Sequence, residues 1–363
     1  QVSKPIINGV PPMPKCTAGQ MEFGRLGRRV LSADFDGGAL SSDGGLMLLR
    51  RVDERIGLSR AVASVLHDGR NPDRITHDMR ALVAQRLYAL CCGYEDLNDH
   101  SALRRDPLMQ TAVGVTRDLG SAPTLCRLEN AATQADVGAL HRVLIEQFIA
   151  SHDTVPDELI LDIDASDIPL HGDQEGREFH GYYDHYCYLP LYVFCGQSML
   201  ACYLRRSRID GARNATALIK VLVARLRLAW PNVRLIVRGD SGFCRQRLLR
   251  WCEKHRVDYV IGLARNKRLE RLVEPLEARM HAAYAQCGVK QREIDELRYA
   301  ADSWDKERRV ITRLEYGSQG NNPRFIVTTL TDASSYLYDT LYCARGEAEN
   351  RIKEAQLDLF GTR

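Results

Sequence analysis

The sequence lacks the features that mark membrane and secreted proteins. No window approaches the roughly 18 uninterrupted apolar residues that a transmembrane helix needs. The first residues are polar and rich in proline, unlike a signal peptide. Eleven cysteines are scattered along 363 residues with no Cys-x-x-Cys pair, a pattern typical of reduced intracellular thiols rather than of a disulfide framework. The sequence therefore predicts a cytoplasmic protein that does not bind a membrane.

Several common enzyme signatures are absent as well. Gly37-Gly38 and Gly44-Gly45 have the wrong spacing for a phosphate-binding loop, and no Gly-x-Ser-x-Gly hydrolase elbow occurs. His171, His180 and His185 match no zinc-finger spacing, so we expect them to form hydrogen bonds in loops. The net charge of +3 indicates that any nucleic-acid surface must be a local one.

The pattern of the chain changes along its length, which favours two or three domains. Residues 1–30 carry four prolines and predict an extended amino-terminal arm. Residues 31–150 show helical periodicity and predict a mostly helical domain. Strands and helices alternate over residues 151–288 and 332–363, and residues 289–331 predict an inserted run of β-strands. The fold class expected is α/β, a mixed sheet with an inserted β subdomain and a helical domain before it.

Two predicted strands end in carboxylates. Residues 158–166 alternate apolar side chains with Asp162 and Asp164, which places both acids on one strand face. Residues 233–240 form a second apolar run that ends at Asp240, directly before a glycine turn. Because an ionised carboxylate near a sheet core must be paired, hydrogen-bonded or metal-bound, we expect a metal site at the carboxyl edge of the sheet.

The last predicted helix, from about residue 334 to about residue 359, supplies a third acid. At about 100° per residue, Tyr342, Arg345, Glu349 and Lys353 fall within an arc of about 80°. A surface helix with ion pairs four residues apart also explains this stripe. Together with the two strand acids, however, Glu349 completes an all-oxygen set that suits two Mg²⁺ ions, with Mn²⁺ as a substitute. Tyr342, Arg345 and Lys353 would then contact phosphates.

The acids lie in motifs that resemble those of a known family. The three stretches that resemble the motifs of a DDE transposase are Asp164-Ala-Ser166, Arg238-Gly-Asp240-Ser-Gly-Phe243 and Tyr342-x-x-Arg345-Gly-x-x-Glu349-x-x-Ile-Lys353-Glu. The chain is most similar to the insertion-sequence 1380 family within the wider insertion-sequence-4-like group. Lys353 follows Glu349 by four residues, as in that narrower family, rather than by seven. Further runs that resemble the family's sequence lie at residues 35–45, 93–99, 171–176 and 181–184.

The resemblance implies an RNase H-like core with the β insertion between the second and third acids. It implies that Asp164, Asp240 and Glu349 are catalytic and hold the metals, with Asp162 as the alternative first ligand. The implied partners are double-stranded DNA, namely terminal inverted repeats and target DNA, and further copies of the chain assembled on the DNA ends. The helical domain would bind DNA, and the bacterial nucleoid would be the place of action. Since the family continues past the third motif with further helical sequence, the end at Arg363 predicts a truncated element with intact acids and impaired assembly or activity.

The expected activity is DNA strand cleavage followed by strand transfer, by a two-metal mechanism. Two alternatives remain open at this stage. One is a structure-selective nuclease on the same fold that cuts and never joins. The other is an inactive transposase relic that binds DNA ends without nicking them.

Overall fold

The computed structural model describes residues 21–26, 29–33 and 41–359. The predicted amino-terminal arm, residues 1–30, falls mostly outside the described residues, as does much of the glycine-rich run at 35–45. Two short strands, β1 (Met21–Leu26) and β2 (Arg29–Ala33), pair antiparallel at the start of the described chain.

Helices make up the next part of the chain, as the periodicity predicts. They are α1 (Leu46–Ile56), α2 (Leu58–Val65), α3 (Met79–Cys91), α4 (His100–Leu103), α5 (Pro107–Val113), α6 (Ala122–Asn130) and α7 (Gln134–Ala150). The Asp78 side chain caps α3 by accepting a hydrogen bond from the Ala81 amide at 2.7 Å. At α7, Thr133 and Asp136 form a reciprocal capping box. These caps set the helix starts that apolar periodicity alone locates only approximately.

A buried carboxylate ties the first three helices together. The Asp53 carboxylate accepts hydrogen bonds from the Ser59 amide at 2.8 Å, the Ser59 hydroxyl at 2.5 Å and the Tyr88 hydroxyl at 2.8 Å. Burial raises the pKa of Asp53, but these hydrogen bonds outweigh burial and the net pKa is lowered. The helical domain is therefore held by a charged group as well as by its apolar core.

The remainder of the chain builds around one large sheet. Its strands are β3 (Glu158–Ala165), β7 (Leu191–Cys195), β8 (Ser198–Tyr203), β9 (Arg234–Gly239) and β10 (Asp258–Leu263). Between β3 and β7, a separate three-stranded sheet forms from β4 (Ile168–Pro169), β5 (Glu178–His180) and β6 (His185–Tyr188).

The spatial order of the five strands is β8-β7-β3-β9-β10. Strands β3, β9 and β10 run parallel, whereas β7 and β8 are antiparallel to their neighbours. In order along the chain this is a 3-2-1-4-5 sheet, the RNase H-like arrangement that the motifs imply. The predicted fold class is confirmed.

Helices cover both faces of this sheet. The helices between the strands are α8 (Ala215–Ala229), α9 (Gln246–Lys254) and α10 (Lys267–Cys287). Leu235 and Val237 of β9 point into the larger core cluster, whereas Ile236 between them packs with Leu337 and Leu341 of the final helix. A strand buried on both faces must be apolar throughout, which explains the continuous apolar runs before the acids.

The inserted strands occur where the alternation predicts them, and they extend the same sheet. They are β11 (Gln291–Tyr299), β12 (Arg308–Gly317), β13 (Gly320–Asn321) and β14 (Arg324–Thr328). Strand β14 pairs antiparallel with β10, and β12 pairs with β14. The insertion thus prolongs the sheet beyond β10, which separates it from the acid-bearing strands β9 and β3.

The final helix changes its geometry along its length. It begins as a π-helix (Tyr336–Tyr342), passes through a 3₁₀ turn (Cys343–Arg345), continues as α11 (Gly346–Glu354) and ends in a second π segment (Ala355–Leu359). The uniform 100° rotation assumed from the sequence therefore holds only over residues 346–354. Among the described residues, no helix is long and apolar enough to span a membrane.

One buried histidine makes the stability of the helical domain depend on pH. The Gln85 amide donates to His100 Nδ1 at 3.0 Å and to the Gly120 carbonyl at 2.8 Å, and His100 is fully buried. Burial, reinforced by the charge of Arg86, lowers the pKa of His100 to about 4. The unfolded chain binds this proton near pH 6.5, so folding loses stability as the pH falls from about 6.5 toward 4.

We expect His100→Gln to flatten this pH dependence. When the pH falls from 7 to 4.5, the wild type should lose about 2.5 kcal/mol of unfolding free energy because of this histidine. The variant should not show this loss. Urea unfolding followed by circular dichroism at both pH values measures the difference. His281→Gln, at an exposed position, is the control. Equal slopes for the wild type and His100→Gln would contradict the assignment.

Candidate active site

Two of the predicted acids come together at the carboxyl edge of the sheet. Asp164 lies near the end of β3 and Asp240 directly follows β9. These strands are parallel neighbours with Ile163 opposite Gly239, so the next residues on each strand are Asp164 and Asp240. Neighbouring strands lie about 4.8 Å apart, which places the two carboxylates side by side.

The local backbone orients both carboxylates. Asp240 Oδ1 accepts a hydrogen bond from the Gly242 amide at 2.9 Å and caps a 3₁₀ turn (Ser241–Phe243). Asp164 Oδ1 accepts from the Ala165 amide at 3.0 Å. The glycine turn after β9 therefore fixes one oxygen of Asp240 in place and leaves its second oxygen for another partner.

Burial and the neighbouring acids together raise the pKa of Asp164 to about 6. Burial is the largest cause, the neighbouring charge of Asp240 adds to it, and the charge of Glu349 contributes further. Arg345 opposes the shift. The acids at the end of β3, directly after β9 and on α11 thus share one electrostatic environment with Arg345.

Arg345 is the cation at the centre of this group. Its Nη2 contacts Glu349 Oε1 at 2.6 Å. Burial lowers the pKa of Arg345, but Glu349, Tyr342, Asp164 and Asp240 all raise it, and the net pKa is raised. The arginine therefore balances the acids inside a partly buried site.

Glu349 pairs with Arg345 rather than converging with the two strand acids. Within the described residues, no three His, Cys, Asp or Glu side chains lie close enough together to hold one metal ion. Lys353 is exposed one turn beyond Glu349 on α11. The structure thus brings Asp164, Asp240, Glu349 and Arg345 into one neighbourhood and leaves Lys353 at its solvent edge.

The alternative first ligand, Asp162, has a different environment. It is 3% exposed, and both of its oxygens bind Arg238, at 2.5 and 2.7 Å. Arg238 lies directly opposite on β9, and its Nη1 also donates to the Leu341 carbonyl of the final helix at 2.6 Å. Burial raises the pKa of Asp162 and Arg238 opposes the rise. Arg238 thus binds both oxygens of Asp162, below the sheet edge at which Asp164 lies.

Two cavities flank the acids. One, of about 380 Å³, is lined by Asp164 and Asp240 together with His180, Tyr182 and Tyr183 of the small sheet's loop. The other, of about 520 Å³, begins at Ser241 and extends toward the inserted strands. The first cavity therefore opens directly onto the two strand acids, and the second lies beside Tyr342 and Arg345.

A family model described as "Transposase DDE domain group 1" matches residues 23–363. The chain belongs to this transposase family. No curated protein matches the sequence. Among solved structures, the cryo-EM structure of a piggyBac transposase synaptic complex with hairpin DNA is similar to this chain. It has a TM-score of 0.45 and 11% sequence identity over 86% of this chain and 68% of that chain.

One residue outside the three motifs also indicates how the site of this transposase is packed. Gly262 lies inside β10, and a Cβ there would stand 2.6 Å from Tyr342 Oη and 2.8 Å from the Ser241 amide nitrogen. A glycine within an apolar strand pattern indicates such a close approach. Tyr182 and Tyr183, by contrast, are adjacent aromatic residues in a loop, and only the tertiary fold places them beside Asp164.

Arg238 should be among the most sensitive positions for stability in this transposase. We expect Arg238→Met to lower the free energy of unfolding by about 3–5 kcal/mol, because it leaves the Asp162 carboxylate buried without a partner. Adding Asp162→Leu should restore part of the loss. Chemical denaturation measures both variants.

The matched control is Arg234→Met on the same strand. Arg234 pairs with Glu158 and Asp258 at the surface and is about half exposed, so its loss should cost less than about 1 kcal/mol. Similar costs at both positions would show that the buried pair has no special role.

Gly262→Ala tests the close approach of β10 to the site. The added methyl group would overlap the Tyr342 hydroxyl and the backbone after Asp240, so we expect a loss of about 1–3 kcal/mol in unfolding free energy. Gly138→Ala, in α7 with open space around it, should instead stabilise by about 0.5–1 kcal/mol. Thermal denaturation compares the two, and an unaffected Gly262→Ala would refute the tight packing.

Proposed function

We propose that this chain is a transposase of the insertion-sequence 1380 family that cleaves DNA strands and joins the freed ends to target DNA. The observation that carries the proposal is the placement of Asp164 and Asp240 at the ends of two parallel strands, with the charge of Glu349 acting on Asp164 from the final helix. Membership of the transposase family supports the same chemistry.

Asp164, Asp240 and Glu349 are the residues that would hold Mg²⁺, with Mn²⁺ as a substitute. The donor set fits, because all three supply hard carboxylate oxygens and two of them are adjacent at a partly buried sheet edge. Held by these carboxylates, metal ions would supply activation of the attacking oxygen and charge stabilisation for the leaving oxygen of a phosphoryl displacement. The bidentate pairing of Asp162 with Arg238 favours Asp164 as the first ligand.

The remaining residues would bind and position the DNA strand. In the active arrangement Glu349 gives up its ion pair with Arg345, and the released guanidinium binds a backbone phosphate in bidentate fashion. Tyr342, beside Arg345 and Asp240, would orient the same phosphate. Lys353, exposed on α11, would contact a phosphate farther along the strand. Water would attack first, and the resulting 3′-hydroxyl would then attack target DNA.

The proposed partners follow from this chemistry. They are the terminal inverted repeats, the target duplex and further copies of the chain on the paired DNA ends. The helical domain would bind the repeats, with the bacterial nucleoid as the place of action.

Glu349→Gln should remove strand cleavage while retaining DNA binding. We expect cleavage to fall on the order of 10³-fold, because one carboxylate ligand of a two-metal site supplies several kcal/mol of transition-state stabilisation. Glu347→Gln, two residues earlier on the same helix and exposed, should retain wild-type cleavage. The assay follows Mg²⁺-dependent nicking of DNA that carries the element's ends, with EDTA as the metal-free arm.

Strand-transfer products distinguish the proposal from its competitors. Joined donor and target DNA supports a transposase, whereas cut product without joined product indicates a nuclease. End binding without Mg²⁺-dependent nicking indicates an inactive relic. Unchanged nicking by Glu349→Gln would refute the assignment of the third acid.

A further inference from the structure

The cavity of about 520 Å³ beside the acids is lined mainly by polar groups from four elements. It lies between the end of β10, the inserted strands β12 and β14, and the final helix. We call it the arginine cavity after its four arginines, which are Arg265, Arg313, Arg324 and Arg345. Arg345 belongs to the proposed active site, whereas the other three come from segments outside the acid motifs.

The register of the inserted strands places two of these arginines face to face. Arg313 on β12 is directly opposite Arg324 on β14 in an antiparallel pair. Directly opposed side chains lie on the same face of a sheet, and like charges in that position are destabilising. The opposition of these two arginines therefore costs stability in the free protein.

Compensation from the protein itself is limited. Arg313 Nη2 lies 3.4 Å from Glu315 Oε2, and the same carboxylate group also serves Lys290 at 3.1 Å and Arg292 at 3.6 Å. Arg313 Nε is buried and has no hydrogen-bond partner among the described residues. The Arg265 and Arg324 side chains form no hydrogen bond or ion pair within the described part of the chain.

The chemistry of the cavity fits a phosphate. Guanidinium groups bind phosphate oxygens in bidentate fashion, and an anion between Arg313 and Arg324 would convert their repulsion into attraction. The Arg313 guanidinium is held over the Tyr338 ring, 5.4 Å from its centroid, which restricts its motion. The cavity is also continuous with the proposed site, because Ser241, Tyr342 and Arg345 line it as well.

We propose that Arg313 and Arg324 bind a backbone phosphate of the DNA strand that leads into the acid site. This inference rests on the proposed function, since it assigns to the inserted strands the task of holding the strand next to the scissile bond. Arg265, exposed at the mouth of the cavity, would contact the neighbouring phosphate. The inserted strands thereby become part of the DNA-binding surface.

The test measures the salt dependence of duplex binding without Mg²⁺. Full-length wild type and the double variant Arg313→Gln/Arg324→Gln are titrated with a fluorescent DNA duplex over a series of KCl concentrations. Loss of one phosphate contact should reduce the slope of log K against log [KCl] by about 1 and weaken binding about tenfold at low salt. Arg298→Gln, exposed on β11 of the same insertion, is the matched control and should keep the wild-type slope.

Thermal denaturation of free Arg324→Gln separates ligand binding from a structural role. Because the substitution removes a like-charge pair, we expect the Tm to stay unchanged or to rise by about 1–2 °C. Arg324→Lys keeps the charge and should retain most of the slope. A fall in Tm of several degrees, or a wild-type slope in the double variant, would overturn the proposal.

Two further outcomes are distinguishable. Binding of millimolar inorganic phosphate to the wild type that leaves duplex binding unchanged at constant ionic strength would identify a separate free-anion site and would contradict a DNA subsite. Failure of the proposed function would show instead as absent Mg²⁺-dependent nicking by the wild type, whatever the salt slopes are.

Discussion

The buried ion pair between Asp162 and Arg238 is the constraint on which the catalytic core depends. It joins β3 to β9 in register, and the same arginine holds the final helix through the Leu341 carbonyl. Asp164 and Asp240 each lie two residues beyond a member of this pair, on the same strand face. A shift of one residue in the pairing of the two strands would move one of these acids to the opposite face of the sheet. The pair therefore fixes the relative position of all three elements that carry the acids.

Such a pair carries a large desolvation cost and gives little net stability compared with apolar residues of similar volume. Its contribution here is to position three elements, because Arg238 binds Asp162 on β3 and also binds the Leu341 carbonyl of the final helix. The group above it, in which Arg345 balances Asp164, Asp240 and Glu349, is more exposed to solvent than the Asp162–Arg238 pair. A buried polar layer thus lies beneath a more exposed one.

Much of this arrangement could be predicted from the sequence. Apolar alternation located the two acid-bearing strands, and their ends predicted that Asp164 and Asp240 would meet, because carboxyl ends of parallel strands share one edge. The sequence alone did not decide whether Asp162 or Asp164 is the first metal ligand, since both lie on the same strand face. The choice depends on the position of Arg238, whose pairing with Asp162 becomes visible only once the strand register is known.

Other features could not be predicted from the spacing of apolar residues. The final helix was found, but its π and 3₁₀ segments were not, because a 3.6-residue repeat assumes one helical geometry throughout. The inserted strands were found, but not their pairing with β10, since pairing partners are set by tertiary contacts rather than by local alternation. The opposition of Arg313 and Arg324 is invisible without that register.

The departures from self-stabilising structure gather at one edge of the sheet. A buried acid with a raised pKa, a strand glycine packed against a tyrosine, a π-helical segment and two opposed arginines all surround the ends of β3, β9 and β10. Each feature is costly or unusual alone. Where several destabilising features lie together, a bound partner that stabilises them is the simplest explanation. A chain of nucleic-acid phosphates, with divalent cations at the acids and guanidinium groups beside them, would supply it at this edge.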